Sequence, residues 1–324
     1  MFLVDTFLSL LRQSTPKWLK KIIYVRVLKA QFSRVKRSPV LSTTDYWGRH
    51  TVAACENYVS REGSLKSFHE RNSQYIGYAD LMPVSAFANL SILDFGCGPG
   101  HDLVGFVEFS GAKRIVGVDI SPKAIELARK RLAFHGSDRV ALRLLHSESD
   151  LPVAYESNSF DYVHSSGVLH HIDDPSVALR MIRRIIKPNG YLKTMVYHEN
   201  SIWFHLYAGY VLPNVWKVVS PNFDTREIFR MSTDGPACPV STAYSESSFE
   251  AIARSASFST SMVGVAISRL EVDICDRYLQ MALSDSRLKD EHRNFLSSLV
   301  LRDGVPERNG LVAGIDMVLE HRPI

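Results

Sequence analysis

Residues 92–102 read ILDFGCGPGHD, a short apolar run followed by glycines at 96, 98 and 100. The run has the composition of a strand buried on both faces, and the following HDLVGFVEFSG, residues 101–111, has helical spacing. In a strand–loop–helix unit, glycines let the backbone take φ > 0 and let a ligand approach with no Cβ in the way. The helix behind adds free N–H groups and a partial positive charge. A dinucleotide fingerprint, G-x-G-x-x-G/A, counted from Gly96 requires glycine or alanine at 101, where this chain has His101. The spacing therefore points away from a pyrophosphate cradle and toward a different nucleoside.

Outward from the loop, strands and helices alternate. RIVGVDI (114–120) reads as a second strand and SPKAIELARKRLAFHG (121–136) as a helix opened by a Ser-Pro cap. VALRLL (140–145) and FDYVHSS (160–166) are two more strands. DDPSVALRMIRRIIKP (173–188) is a helix ended by Pro188, and NGYLKTMVYH (189–198) a fifth strand. Strands alternating with helices of this length imply a parallel sheet covered on both faces. Past residue 199 the alternation breaks: NSIWFHLYAGYVLPNVWKVV (200–219) reads as helical and SESSFEAIARSASF (245–258) as another helix. SMVGVAISRL (261–270) then reads as a strand, residues 271–300 as helical, and GLVAGIDMVLEHR (310–322) as a closing strand.

Asp119 ends the second strand at the sheet's carboxyl edge, placed to accept both hydroxyls of a ribose. Its other reading, a helix cap, is already filled by Ser121. Ile120 has two compatible readings, a flat contact for a purine or ordinary core.

Four motifs in order, D-x-G-x-G-x-G (94–100), the acid Asp119, S-x-S-D-L-P (147–152) and FDYVHSSGVLHH (160–171), resemble a class I S-adenosylmethionine-dependent methyltransferase. The likeness is close over 90–197 and includes the turn KPNGY (187–191). SLKSFHERNSQYIGY (64–78) and TDGPACPVSTAYSESSFEAIARSASF (233–258) are more loosely similar to bacterial methyltransferases near the quinone-biosynthesis type. The resemblance implies an α/β fold: a Rossmann-like, seven-stranded methyltransferase sheet with helices on both faces and a helical cap insertion. It divides the chain into a basic amphipathic arm (1–40) and a methyltransferase domain (41–324), the latter with a cofactor-binding core (88–198), a cap (199–248) and C-terminal helices and closing strands (249–324).

The resemblance also implies roles. Gly96, Cys97, Gly98 and Gly100 line the methionine half of S-adenosyl-L-methionine, Asp94 helps to hold its ammonium group, and Asp119 binds its ribose. Ser147 and Glu148 stand where the family has Asp-Ala reading the adenine, so that recognition shifts to Glu148 or to backbone groups. Ser165 passes under the methionyl moiety. His170, His171, Tyr197 and His198 are the candidates for a general base, with pocket shaping as the alternative for the histidines. Adjacent histidines and acids in HHIDD (170–174) point in different directions, so no metal site is expected.

Composition bounds the rest. The 324 residues are 45% hydrophobic and 22% charged, ordinary for a soluble domain with a sizeable core. Residues 1–37 carry nine Lys/Arg against Asp5 alone, a balance of +8 that leaves −4 for the remainder of a chain at +4. That arm has an apolar stripe, so it either packs on the protein or makes peripheral contact with an anionic membrane. Cys55, Cys97, Cys238 and Cys275 form no CxxC pair, and the first residues do not read as a signal peptide, so a cytoplasmic location is expected. SSGVLHH (165–171) stands where methyltransferases of exocyclic base nitrogens carry an Asn/Asp-Pro-Pro-aromatic loop, which disfavours nucleic acid. The expected acceptor is a small or lipid-linked molecule, oxygen slightly favoured as the methylated atom. Trp203, Phe204, His205, Tyr207, Tyr210 and Trp216 form either the core of the cap or an apolar wall for that acceptor. The alternatives are an NAD-dependent Rossmann oxidoreductase and a non-catalytic, membrane-associated methyltransferase-like protein.

Overall fold

The computed structural model describes residues 25–30, 32, 41–50, 58–136, 139–147 and 150–324. Its strands are β1 (Tyr75–Ile76), β2 (Ser91–Phe95), β3 (Arg114–Asp119), β4 (Val140–Leu144), β5 (Phe160–Ser166) and β6 (Ile186–Tyr197). They continue as β7 (Phe258–Ser268), β8 (Val300–Arg302), β9 (Val305–Arg308), β10 (Leu311–Val312) and β11 (Asp316–Pro323). One sheet has the order β1-β7-β11-β6-β5-β2-β3-β4; β8, β9 and β10 form a small antiparallel sheet. From β4 to β6 neighbouring strands are parallel, and β11 is inserted antiparallel between β6 and β7. The seven expected strands are therefore joined by an eighth, the two-residue β1, which covers the edge of β7 at Ile267 and Ser268.

The parallel strands are buried on both faces, as their continuous apolar runs require. On β2, Ile92 packs with Leu103, Phe106, Ile115 and Ile125 on one face, while Leu93 packs with Val116, Val163, Leu179 and Ile182 on the other. The covering helices begin where their caps dictate. Ser121 accepts from the Ala124 N–H ahead of Pro122–Leu132, and Asp174 accepts from the Ser176 N–H ahead of Pro175–Ile185. That second helix stops at Ile185 rather than at Pro188. The following strand starts at once, and its register jumps from Phe160↔Ile186 to Tyr162↔Tyr191. A bulge absorbs Pro188, whose missing N–H has no place in a regular ladder. The Lys187 ammonium on Asp161 (2.6 Å) and the Ser91 N–H on the same carboxylate (2.9 Å) fasten that bulge to β2 and β5.

The segment 200–219 becomes a wide π-type helix, Trp203–Val215, with Pro213 inside it. Trp203, Phe204, Tyr207 and Tyr210 pack with Ile228, Phe229, Ile274, Tyr278 and Phe295, so most of the cap's aromatic cluster is core. Leu28 and Phe32 join the same cluster. The rest of the basic stretch 1–37 lies outside the described residues apart from the helical turn at 25–30. Among the described residues no helix is long and apolar enough to cross a membrane.

Arg131, 2% exposed, ties the sheet's helical layer to the helix Arg61–Ser73. Its guanidinium donates to the Ser64 hydroxyl (2.8 Å) and the Ser64 carbonyl (2.9 Å), contacts His101 Nδ1 (2.7 Å) and lies 4.5 Å over the Tyr58 ring. Replacing it with alanine leaves buried acceptors unpaired and is expected to lower stability by about 3 kcal/mol in urea denaturation. Lysine should recover little, because one ammonium cannot reproduce the planar fork. A loss below about 1 kcal/mol would show that water replaces the guanidinium.

Candidate active site

Sheet order reverses between β2 and β5, and the crevice at the carboxyl ends of those strands is where open α/β sheets bind ligands. A cavity of about 260 Å³ lies there. The bend after β2 forms its floor. Gly96 and Cys97 donate their N–H groups to the Val118 carbonyl (2.8 and 2.9 Å), which turns the chain sharply over the end of β3. Gly96 has φ +78°, and a Cβ there would collide with Val168. Gly98 has φ +51°, and a Cβ there would meet nothing within 4 Å: the bend is open on the cavity side.

Asp119 holds that bend. Its Oδ2 accepts from the Gly98 N–H and its Oδ1 from the Ser121 N–H, both at 2.8 Å. A carboxylate oxygen has a second lone pair, so each oxygen keeps one acceptor site. Burial raises the Asp119 carboxyl above its usual range, partly offset by backbone N–H bonds. Ile120, Leu145, Ala124 and Ile172 line the adjoining apolar end.

At the other end of the bend Asp94 is 3% exposed and lines the cavity, and its carboxylate has no hydrogen bond among the described residues. Burial pushes it up to about 7, with His164 opposing and the Asp102 and Asp119 charges adding. Beside it a buried network is closed. Arg71 donates to Asp102 Oδ1 (2.7 Å), His164 Nε2 meets Asp102 Oδ2 (3.2 Å), and the Tyr78 hydroxyl contacts Asp102 Oδ2 (3.3 Å) and Ser166 (2.6 Å). Burial alone would raise Asp102; the Arg71 and His164 contacts outweigh it and hold that carboxyl well below the usual range.

Beyond Met195 the cavity is lined by Trp47, Tyr197 and Trp203, with Asp234 and Asp316 on its wall. His171 faces it as part of an ion pair. Its Nδ1 donates to the Val240 carbonyl (2.7 Å) and its Nε2 lies 3.3 Å from Asp234 Oδ2. Burial disfavours the charge, but the Asp234 carboxylate outweighs it and lifts His171 to about 10. The Tyr197 hydroxyl donates to the same Asp234 oxygen (2.8 Å). His170, stacked on Tyr197 at 3.6 Å, is fully buried and accepts the Tyr197 N–H on Nδ1 (3.2 Å). Burial drives His170 well below its ordinary value and His198 down to about 4, and neither lines the cavity. Of the four base candidates, then, the two at the cavity are a protonated imidazolium and a phenol already bonded to a carboxylate.

The structure brings together Asp94, Gly96, Cys97, Gly98, Asp119, Ile120, His171 and Tyr197. Gly100 sits just behind them as the left-handed N-cap of the helix His101–Phe109, against Ala128. Ser165 is buried, its hydroxyl has no partner among the described residues, and it does not line the cavity. Ser147 lies in the turn after β4, where Asp150 accepts the His146 and Ser147 N–H groups (2.6 and 3.3 Å); Glu148 lies outside the described residues. Arg71, Tyr78, Asp102, Trp47, Asp234 and Asp316 are cavity residues that the motifs did not single out. For Arg71 and Tyr78 the signal was present in HERNSQYIGY (69–78), and for Asp234 in TDGPACP (233–239). Among the described residues no group of three His, Cys, Asp or Glu side chains is arranged to hold a metal ion.

Residues 86–209 match a family model described as a methyltransferase domain. An uncharacterized methyltransferase of Schizosaccharomyces pombe is 32% identical over 104 residues, 31% of this chain and 37% of that protein. The ubiquinone biosynthesis O-methyltransferase of Neisseria meningitidis is 29% identical over 156 residues, 47% of this chain and 62% of that one. An uncharacterized 37.1 kDa protein of a Streptomyces fradiae transposon is 38% identical over 103 residues, 32% and 28% of the two chains. The chain thus spans less than two thirds of these relatives' lengths. Among solved structures, the YcgJ protein of Bacillus subtilis aligns with TM-score 0.48 at 16% identity, covering 76% of this chain and 97% of that one. A SAM-dependent methyltransferase of Aquifex aeolicus aligns with TM-score 0.44 at 16% identity, over 64% and 93%. Residues 86–209, with their strands and glycine bend, thus form a methyltransferase domain, and the class I S-adenosylmethionine-dependent type is supported for that stretch. S-adenosyl-L-methionine is the cofactor of this family.

Because Asp119 also fastens Gly98 and Ser121, Asp119→Ala is expected both to weaken S-adenosylhomocysteine binding in calorimetry and to lower stability by about 1–3 kcal/mol. Unchanged affinity would refute a ribose contact at this carboxylate.

Proposed function

We infer that the protein transfers a methyl group from S-adenosyl-L-methionine to a small molecule, with oxygen as the methylated atom. One observation carries the reading: two carboxylates, the buried Asp94 and the half-buried Asp119, bracket a bend whose cavity side is open at Gly98. An adenosyl amino acid with a cationic sulfur has the matching chemistry, two ribose hydroxyls for Asp119 and positive charge for Asp94. The sulfonium, when bound, supplies a methyl group already activated toward a nucleophile. What the chain contributes is position and dryness, and positioning alone is worth about 7–11 kcal/mol of such a barrier. In this reading Asp119 accepts the ribose hydroxyls, Ile120 and Leu145 cover the base, and Asp94 accepts from the ammonium. Arg71, held by Asp102, offers its cation to the carboxylate end. Trp47, Tyr197 and Trp203 wall the acceptor and exclude water. Oxygen as the methylated atom is supported by the likeness of residues in this core to an enzyme named as an O-methyltransferase.

Calorimetry with S-adenosylmethionine, S-adenosylhomocysteine and NADH tests the reading. Micromolar affinity for the first two and none for NADH is expected; no binding of the adenosyl compounds at millimolar concentration would leave a non-catalytic protein. Comparing metabolites from cells with and without the gene should then show a compound heavier by about 14 Da, the mass of the CH₂ that replaces O–H by O–CH₃.

The raised Asp94 carboxyl fixes a pH dependence. It is neutral below its value of about 7, and a cationic ligand favours its charged form, so affinity rises as pH passes upward through that value. The ligand's own α-ammonium, held by the carboxylate of the same amino acid, stays protonated across that range. S-adenosylhomocysteine affinity should increase roughly eightfold between about pH 6 and 7.5. Asp94→Asn should flatten that rise; an unchanged pH profile in the variant would remove Asp94 from the ammonium site.

A further inference from the structure

The acceptor end of the cavity is closed by Asp316, the first residue of β11, which pairs with Tyr197 on one side and Ala266 on the other. Both neighbouring strands thus hold it at the carboxyl edge of the sheet. It is 3% exposed, it lines the cavity, and its Oδ2 has no hydrogen-bond partner among the described residues. The charges around it are otherwise engaged. Arg71, facing it from the helix Arg61–Ser73, is bonded to Asp102, and Asp234, facing it from the end of the helix Thr225–Thr233, is bonded to His171 and Tyr197. Glu271, fully buried in the first turn of the helix Arg269–Ser284, accepts the Ser268 N–H and hydroxyl on Oε2 (2.9 and 2.8 Å) and feels the Asp316 charge. A buried carboxylate oxygen with no donor is costly unless a ligand supplies one.

We propose that Asp316 receives the hydroxyl group of the methyl acceptor, taking its hydrogen bond on Oδ2 and then its proton as the methyl group is transferred. The proposal rests on the methyltransferase reading above and names the residue that selects the acceptor. The hydroxyl oxygen forms the new bond to the methyl carbon, the carbon–sulfur bond breaks with its electron pair going to sulfur, and the O–H proton passes to Asp316. Sulfonium and carboxylate charges disappear together, so the step leaves no new charge in the cavity. Burial raises Asp316 to about 7, with Arg71 opposing and Asp234 adding. Near neutrality the side chain therefore exchanges readily between acceptor and donor. His171 cannot take this part, being protonated and bonded on both nitrogens.

The test uses the full chain saturated with S-adenosylhomocysteine, with binding followed by fluorescence of the cavity tryptophans Trp47 and Trp203. Phenol, anisole and benzylamine are the probes, sized for aromatic walls; phenol stays protonated through pH 8 with a tyrosine-like value of about 10. At about pH 8 the wild type should bind phenol at least tenfold more tightly than anisole, and below about pH 6, with Asp316 protonated, the preference should fall under threefold. Asp316→Asn should bind S-adenosylhomocysteine within twofold of wild type yet lose the phenol preference. A preference retained in the variant, a wild-type preference independent of pH, or benzylamine binding more than tenfold tighter than phenol would each overturn the proposal. Failure of S-adenosylhomocysteine to bind the wild type would instead overturn the methyltransferase reading beneath it.

Discussion

Everything at the carboxyl edge of this sheet depends on how one carboxylate fastens three pieces of backbone. Asp119 ends β3, draws the Gly98 N–H down from the bend after β2, and draws in the Ser121 N–H that starts the next helix. Without those two bonds a loop with three left-handed glycines would be among the most freely moving parts of the chain. With them, the bend is fixed at the point where sheet order reverses. The same side chain that would meet a ribose is therefore part of the scaffold, and recognition and rigidity have one origin here.

Around that point the charges divide into two kinds. Arg71 with Asp102 and His171 with Asp234 are closed pairs, each formed between an upstream helix or the cap and a segment that follows β2 or β5. They cost desolvation on both sides and add little net stability by themselves. Their value is geometric: one sets the helix Arg61–Ser73 against the Asp94 side of the cavity, and the other, reinforced by Tyr46 and Tyr197 on Asp234, sets the cap over the side lined by Trp47 and Trp203. Asp94 and Asp316, buried, and Asp119, half-buried, are the other kind, carboxylates that no cation among the described residues neutralises by direct contact. The cavity is thereby tuned to a cationic ligand without containing any single strong binding group.

How far this was legible in the sequence follows from the range of the interactions. The glycine bend, Asp119, the Ser121 cap and the strand–helix alternation are local patterns, set within a few residues, and they read directly. The cap aromatics read as two alternatives that the fold combines, since Trp203 is both core and cavity wall. The bulge at Pro188 was hidden because a proline after a helical pattern looks like a stop signal until a partner strand shows where the extra residues go. Arg71 meets Asp102 across 31 residues of sequence, and Asp316 is an unremarkable strand-opening aspartate until β6 and β7 are placed on either side of it. Long-range juxtaposition leaves no periodicity to read. The histidine pair 170–171 drew attention as a base for the opposite reason: residue type was visible, while the Asp234 carboxylate that keeps His171 protonated was not.

The unneutralised carboxylates also say what the apo protein gives up. Asp94, Asp316 and Glu271 are all raised by burial, to about 7, 7 and 8. An acid whose folded value lies above its unfolded one stabilises the fold fully below the unfolded value, near pH 4, and loses that contribution as pH climbs through the folded value. The three groups thus share one window, from about pH 4 to 8, in which the empty site weakens the fold progressively. Two of the three, Asp94 and Asp316, line one cavity, and their share of the cost is of the kind that a bound cation or a hydrogen-bond donor removes. A cavity that is least comfortable when empty near neutral pH is one in which ligand charge, more than contact area, decides when the site is settled.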